Sequence, residues 1–149
     1  MAYGRKRRGQ QGFTLIEVLI VIVVVAILAV IVIPRVMAAT RRSKEATFRA
    51  NLKQLRDGIE RFEANTAAWP PALIDLLAAD GASISADADG RGMSVDRSAY
   101  EGPYIVSPDG NLPNDTFTGA ADWNYNNSTG EIHSSSTLTA IDGTNYSTW

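Results

Sequence analysis

An apolar run over residues 13–33 constrains this chain more than any other feature. Its 21 residues include only two polar side chains, Thr14 and Glu17. At about 1.5 Å per residue, a helix of this length spans roughly 32 Å, close to the hydrocarbon thickness of a bilayer. From Val18 onward the run has no polar face, and the polar sequence after it is too short to bury such a helix. The run therefore predicts a transmembrane helix.

The segment before the run is basic, which also occurs in secretory signal peptides. Residues 5–8 read Arg-Lys-Arg-Arg. A signal peptide, however, has an apolar stretch of only about 7–15 residues, followed by a small-residue cleavage site. This run is longer, and Ile33 is followed by Pro34 and Arg35. An uncleaved membrane anchor remains open on these grounds.

The junction between the basic segment and the apolar run reads GFTLIEV over residues 12–18. This resembles the start of type IV prepilins and type II secretion pseudopilins, which share a G-F-T-L-I-E pattern. The resemblance implies that a membrane prepilin peptidase cuts between Gly12 and Phe13 on the cytoplasmic side and methylates the new amino group of Phe13. Residues 1–12 would then be a cytoplasmic leader and residues 13–33 a transmembrane and filament-core helix. Residues 34–149 would form a head outside the cytoplasm.

Glu17 is the one ionisable residue within the apolar run. An acidic side chain at the centre of a membrane helix costs roughly 2.5–3.5 kcal/mol on insertion scales. One interpretation is that Glu17 lies near the cytoplasmic interface, where water reduces the cost. The other is that the free ammonium of a neighbouring Phe13 neutralises it when subunits stack. The family resemblance implies the second, a role for Glu17 in assembly.

A helical pattern continues beyond the apolar run. Phe48, Leu52, Leu55, Ile59 and Phe62 recur at spacings of three and four, so the helix is expected to extend to about residue 65. Pro34 either kinks this helix or ends it and lets a second one begin.

The apolar stripe from Phe48 to Phe62 must be shielded from water, and residues 66–149 are expected to pack over it. Trp69, Pro70 and Pro71 are expected to break the long helix, and residues 73–77 to form a short one. Residues 104–106, 122–125 and 131–133 are strand candidates, the last two joined as a hairpin; residues 134–149 are expected to be loop or edge strand. The predicted fold class is α+β and pilin-like, with a long N-terminal α-helix packed on a small antiparallel β-sheet head.

Charge is distributed unevenly along the chain. Residues 1–61 hold 12 Lys/Arg and 4 Asp/Glu (net +8), whereas residues 62–149 hold 2 and 12 (net -10). One hypothesis is that the basic residues of the helix beyond the apolar run, here called the upper stalk, face the acidic head of a neighbouring copy. The other is that these residues form a solvated face. The stalk residues in question are Arg35, Arg41, Arg42 and Lys44.

No motif predicts catalysis. The chain has no cysteine and one histidine, His133, which is expected at the surface, and it lacks hydrolase, phosphate-loop and zinc-protease motifs. We therefore expect no enzyme activity and no cofactor. Calcium remains possible because oxygen-bearing side chains cluster in the head, but metal ligands are not assigned. The two clusters are Asp87 with Asp89, and Asp109, Asn111, Asn114 and Asp115.

The resemblance implies a structural filament subunit of the bacterial inner membrane, single-pass, that later enters a periplasmic or extracellular fibre. Its expected partners are copies of itself, homologous pilins or pseudopilins, the prepilin peptidase, an inner-membrane assembly platform and membrane lipid. The absence of cysteine favours a type II secretion pseudopilin over a type IV pilus pilin, which would serve adhesion, motility or DNA uptake. Nucleic acid is expected as a partner only in a DNA-uptake pilus. A membrane-anchored binding module that never polymerises is the alternative of another class.

Overall fold

The computed structural model describes residues 12–149, so residues 1–11 of the predicted leader lie outside the described residues. One long helix, α1 (Leu15–Thr66), comes first, followed by short 3-10 helices and two strands, β1 (Asn124–Asn126) and β2 (Glu131–His133). The strands pair in a two-stranded antiparallel sheet. The chain divides into two compact units at Thr40 and Arg41. The predicted α+β, pilin-like fold class is confirmed.

The first unit contains the apolar part of α1. Its large apolar side chains between Leu15 and Met37 are 49–85% exposed, and none of the most apolar stretch is buried. By length and composition this helix can cross a membrane. Pro34 lies inside α1, so the long pattern is one helix rather than two.

The second unit is built on the upper part of α1. The predicted stripe is confirmed, because all five of its members are at most 3% exposed. The chain after α1 covers the stripe with buried side chains from its 3-10 helices, its loops and β2. The principal ones are Leu76, Ile84, Val95, Ile105, Trp123, Ile132, Ala140 and Tyr146.

The long helix ends at Thr66, three residues before the predicted breaker. Ala67 adopts a left-handed conformation (φ 60°), and its N–H donates to the Glu63 carbonyl at 2.8 Å. This is the αL type of helix ending, usually made by glycine. The Thr66 hydroxyl donates to the Phe62 carbonyl at 2.8 Å, so the last turn remains hydrogen-bonded inside the core.

The prediction of a strand at residues 104–106 is wrong. The N–H groups of Tyr104 and Ile105 donate to the carbonyl of Leu76 at 2.9 and 3.0 Å, instead of pairing with another strand. Leu76 belongs to the predicted short helix, observed as a 3-10 helix at Leu73–Leu77. The apolar character of the segment reflects the burial of Ile105 against α1, and residues 104 and 105 complete the end of that 3-10 helix.

The predicted hairpin is confirmed, with its first strand at Asn124–Asn126 rather than residues 122–125. Tyr125 pairs with Ile132, which places both on one face. Gly130 closes the turn with φ 72°, and a Cβ there would approach the Trp69 ring to 2.6 Å. Both constraints favour glycine at this position. The Tyr125 hydroxyl donates to the Pro70 carbonyl at 2.8 Å and ties the hairpin to the chain that follows α1.

Candidate processing and assembly site

The predicted cleavage junction lies just before α1. Gly12 and Phe13 have no helical or strand structure, and the Phe13 side chain is 87% exposed. A Cβ added at Gly12 would meet no atom within 4 Å. The glycine is therefore not required by packing within the described residues. Its absence of a side chain leaves the backbone open to close approach by another molecule.

Thr14 and Glu17 form a capping box at the start of α1. The Glu17 Oε2 atom accepts hydrogen bonds from the Thr14 N–H at 2.8 Å and from the Thr14 hydroxyl at 2.9 Å. The Glu17 N–H donates to the Thr14 hydroxyl oxygen at 3.3 Å. This reciprocal pair satisfies donors that a helix start would otherwise leave free. The sequence analysis missed this role, although the T-x-x-E spacing is its signature.

The capping box gives Glu17 a function within a single chain. Glu17 is nevertheless exposed, as are Thr14 and Phe13, so its carboxylate remains accessible to another molecule. The assembly role assigned to Glu17 stays a prediction, and the box is a second role at the same atoms.

Glu45 joins the upper part of α1 to residues 134–149. It is 5% exposed, and its Oε1 atom accepts from the Ile141 N–H and from the Tyr146 hydroxyl, both at 2.7 Å. Tyr146 is fully buried and stacks on Phe117 with ring centroids 3.9 Å apart. The segment predicted as loop or edge strand is a loop with one isolated bridge, Thr139 to Asn145, and it ends in a short 3-10 helix at Tyr146–Thr148.

Three arginines of α1 also contact this last segment. Arg41 donates to the Thr139 carbonyl, and Arg56 donates to the carbonyls of Ile132 and Trp149. Arg49 lies over the Trp149 ring, with its guanidinium carbon 4.3 Å from the centroid. Arg41, one of the four stalk cations named above, therefore contacts its own head, as do Arg49 and Arg56 farther along α1, a use that charge counting did not reveal.

The first oxygen-rich cluster considered for calcium is engaged in protein contacts. Asp87 pairs with Arg97 at 2.8 Å, and Asp89 pairs with Arg91 at 2.7 Å. Asp89 also accepts from the N–H groups of Trp69, Arg91 and Met93 at 2.8–3.2 Å. Burial alone would raise the pKa of Asp89, but the bonds from Arg91 and these N–H groups outweigh it and lower the pKa. Asp89 is therefore an anion held by the loops.

The second cluster is divided among separate contacts. Asp109 accepts from Ser107 and Asn111, Asn114 uses its carbonyl to accept from Asn51, and Asp115 accepts from Phe117 and Ser134. Within residues 12–149, no group of three or more acidic, histidine or cysteine side chains is placed to hold a metal. Calcium binding stays a prediction without assigned ligands.

His133 is partly buried rather than at the open surface. It ends β2 beside a shallow groove that Arg56, Trp69 and Gly130 also line. Its Nδ1 atom is buried and has no hydrogen-bond partner among the described residues. Glu60, Thr129 and Glu131 line the same groove.

The N-terminal segment of the chain is similar to a known protein family. The family described as the prokaryotic N-terminal methylation motif matches residues 7–33. The resemblance to type IV prepilins and pseudopilins is confirmed. The match includes Gly12, Phe13 and Glu17, and the family is a structural one rather than a family of enzymes.

Two relatives carry the name type II secretion system core protein G. The protein from Pseudomonas aeruginosa is 29% identical over 65 residues, which cover 44% of this chain and 46% of that protein. The protein from Xanthomonas campestris pv. campestris is 34% identical over 77 residues, which cover 52% of this chain and 54% of that protein. The chain spans about half the length of the curated relatives it matches. No solved structure matches this chain.

Proposed function

We propose that this chain is a structural subunit of a type IV pilus-like filament, specifically a pseudopilin of a type II secretion system. Prepilin peptidase removes residues 1–12 and methylates the amino group of Phe13. The product is stored as a single-pass protein of the inner membrane with its head outside the cytoplasm. An inner-membrane assembly platform then adds it to a filament through its N-terminal helix.

The contrast between the two parts of α1 carries this proposal. The upper part has its apolar stripe covered by the chain's own head, whereas the lower part is apolar on every side and none of residues 12–149 covers it. Exposed apolar surface of this extent is unfavourable in water by roughly 25 cal/mol per Å². Lipid covers it in the stored subunit, and the same helices of neighbouring copies cover it in the filament.

Cleavage supplies the charge that Glu17 requires during assembly. The new ammonium group of Phe13 in an incoming copy neutralises the Glu17 carboxylate of a neighbour, because opposite charges attract strongly where water is excluded. The exposure of Phe13 and Glu17 supports this step. In the stored subunit, the capping box with Thr14 holds the same carboxylate.

Processing is tested by the intact mass of the membrane form, made with and without a prepilin peptidase. We expect the processed chain to begin at Phe13 and carry one added methyl group. Gly12→Val should block this change, because a branched side chain obstructs close approach to the cleaved bond. Gly9→Val, a matched change within the leader, should leave it intact. A chain that keeps Met1 in the presence of peptidase contradicts the proposal and supports a permanently anchored binding module.

A strain that lacks this protein distinguishes a pseudopilin from a type IV pilus pilin. The names of the two relatives support the pseudopilin. We expect loss of protein secretion with surface pili still visible by electron microscopy. Normal secretion with loss of surface pili would assign the chain to the pilus instead.

A further inference from the structure

Three basic residues of α1 lie at the start of the second unit. Arg41, Arg42 and Lys44, here termed the basic collar, all have exposed side chains. The described residues contain three ion pairs, and none of them involves the collar. Arg41 donates to the Thr139 carbonyl, so Arg42 and Lys44 provide the collar's uncommitted charge.

The collar lies within reach of the bilayer surface. Arg42 and Lys44 follow Ile33 by nine and eleven residues, which at about 1.5 Å per residue is at most roughly 13 and 16 Å along α1. The headgroup layer extends roughly 5–7 Å beyond the hydrocarbon. Helical side chains lean toward the helix N-terminus, here toward the membrane, and long basic side chains extend to place their charge among headgroups. Extended side chains of the collar can therefore approach the headgroup layer from the outer side.

Two exposed apolar side chains of the head lie in a loop that contacts α1 near the basic collar. Leu138 and Ile141 are 53% and 50% exposed. The Ile141 N–H donates to Glu45, and the Thr139 carbonyl accepts from Arg41, so this loop runs beside the collar. Apolar side chains next to free cations are the composition of surfaces that bind anionic membrane interfaces. An acidic protein surface would satisfy the cations but not these two residues.

We propose that the basic collar and the 138–141 loop bind anionic phospholipid headgroups in the leaflet that faces the head. The inference rests on the proposed function, since it requires the subunit to be stored in a membrane. It accounts for cations on the side of the span opposite the basic leader, where the positive-inside rule gives them no role. Headgroup contact holds the head down on the membrane until assembly withdraws the subunit.

The test uses the full chain in vesicles and a single label. Because the chain has no cysteine, Thr137→Cys provides one site for a fluorophore, at an exposed position next to the 138–141 loop that leaves Leu138 and Ile141 in place. Quenching is compared between phosphatidylglycerol and phosphatidylcholine, each with a nitroxide near the head of one acyl chain. We expect the nitroxide on phosphatidylglycerol to quench the fluorophore more strongly than the nitroxide on phosphatidylcholine, and we call this difference the lipid preference. Arg42→Gln with Lys44→Gln should reduce this preference by at least about five-fold, since each cation near the surface contributes about that factor.

Lys53→Gln with Arg61→Gln is the matched control, because it removes two exposed cations farther along α1. It should keep the preference. An equal response to both lipids in the parent protein, or a preference that survives loss of the collar charges, overturns the proposal. A collar variant that keeps its lipid preference but fails to form fibres assigns the collar to the acidic head of a neighbouring copy. Failure of the chain to float with vesicles overturns both this inference and the proposed membrane storage.

Discussion

At the scale of single residues, Glu17 combines an observed role and a proposed one at the same carboxylate. Its bonds to Thr14 stabilise the first turn of α1 within one chain, and in the proposed assembly its negative charge pairs with the Phe13 ammonium of a neighbouring copy. The two roles depend on different properties of the side chain. A glutamine can continue the capping box, whereas only a carboxylate supplies charge.

Two substitutions separate these roles. We expect Glu17→Gln to insert into the membrane and be cleaved normally but to give no filaments, because the cap is kept and the charge is lost. Thr14→Ala should lower the stability of the helix start by about 1 kcal/mol and still give filaments. Filament yield, measured by shearing and sedimentation, checks both. Normal yield from Glu17→Gln would refute the charge pairing, and loss of filaments only in Thr14→Ala would assign Glu17 to capping.

Asp89 is the residue whose ionisation most directly supports the loops of the head. Its folded-state pKa is lowered, so its contribution to stability is fully present above the unfolded pKa of about 3.9 and is lost as the pH falls through the folded value. We expect Asp89→Asn to lower the free energy of unfolding by about 1–3 kcal/mol at neutral pH. The deficit should shrink below about pH 4, as the parent protein protonates.

Urea unfolding of the full chain in detergent, followed across pH, measures this deficit. Asp57→Asn is the control, since its exposed ion pair with Lys53 contributes little. A deficit for Asp89→Asn that is constant from neutral to acid pH would contradict the assignment of a charged role.

At the scale of elements, the last segment is held on α1 by a bond that joins side chains 101 positions apart. We expect Tyr146→Phe to reduce the free energy of unfolding by about 1.5–3 kcal/mol, because the lost hydroxyl donates to the buried Glu45 carboxylate. Tyr104→Phe provides the comparison, since its hydroxyl accepts only from neutral donors, the Asn65 amide at 2.9 Å and the Glu101 N–H at 3.2 Å. That change should cost about 0.5–1.5 kcal/mol. Equal costs for the two changes, in urea unfolding, would show that the contact with Glu45 has no special strength.

Gly58 determines how closely the 104–106 segment approaches α1. It is buried, and a Cβ there would lie 3.3 Å from Cγ1 of Ile105 and 3.5 Å from Cδ1 of Leu76. We expect Gly58→Val to destabilise the head by about 1–3 kcal/mol through overpacking. Ala50→Val, an exposed change on the same helix, should cost less than about 1 kcal/mol. Urea unfolding that ranks the two changes in the opposite order would contradict this packing.

Elements with a strong local pattern were predictable from the sequence. The helical stripe from Phe48 to Phe62 and the turn ending in Gly130 carry their periodicity and turn residues within a few positions. The segment at residues 104–106 was not predictable, because an apolar trio has the same local pattern whether it pairs as a strand or caps a 3-10 helix. Its N–H groups find their partner at Leu76, which only the tertiary structure reveals.

At the scale of the whole molecule, the predictable part of the site is the part that we propose acts between molecules. Gly12, Phe13 and Glu17 lie within the contiguous motif matched over residues 7–33, so their pattern is visible in the sequence. The anchors that hold the head, Glu45 and Tyr146, depend on contacts across the chain and have no such pattern. Counting charges likewise did not separate arginines that bind the head from those that remain free.

In the function proposed above, the apolar part of α1 exchanges lipid for copies of itself after cleavage. A photoreactive amino acid at Ile27, which is 59% exposed, tests this in cells that contain the peptidase and the assembly platform. We predict crosslinks that give a ladder of multimers in the processed chain, and only monomer with crosslinked lipid when Glu17 is replaced by glutamine. Monomer alone in the processed, unsubstituted chain would contradict the account.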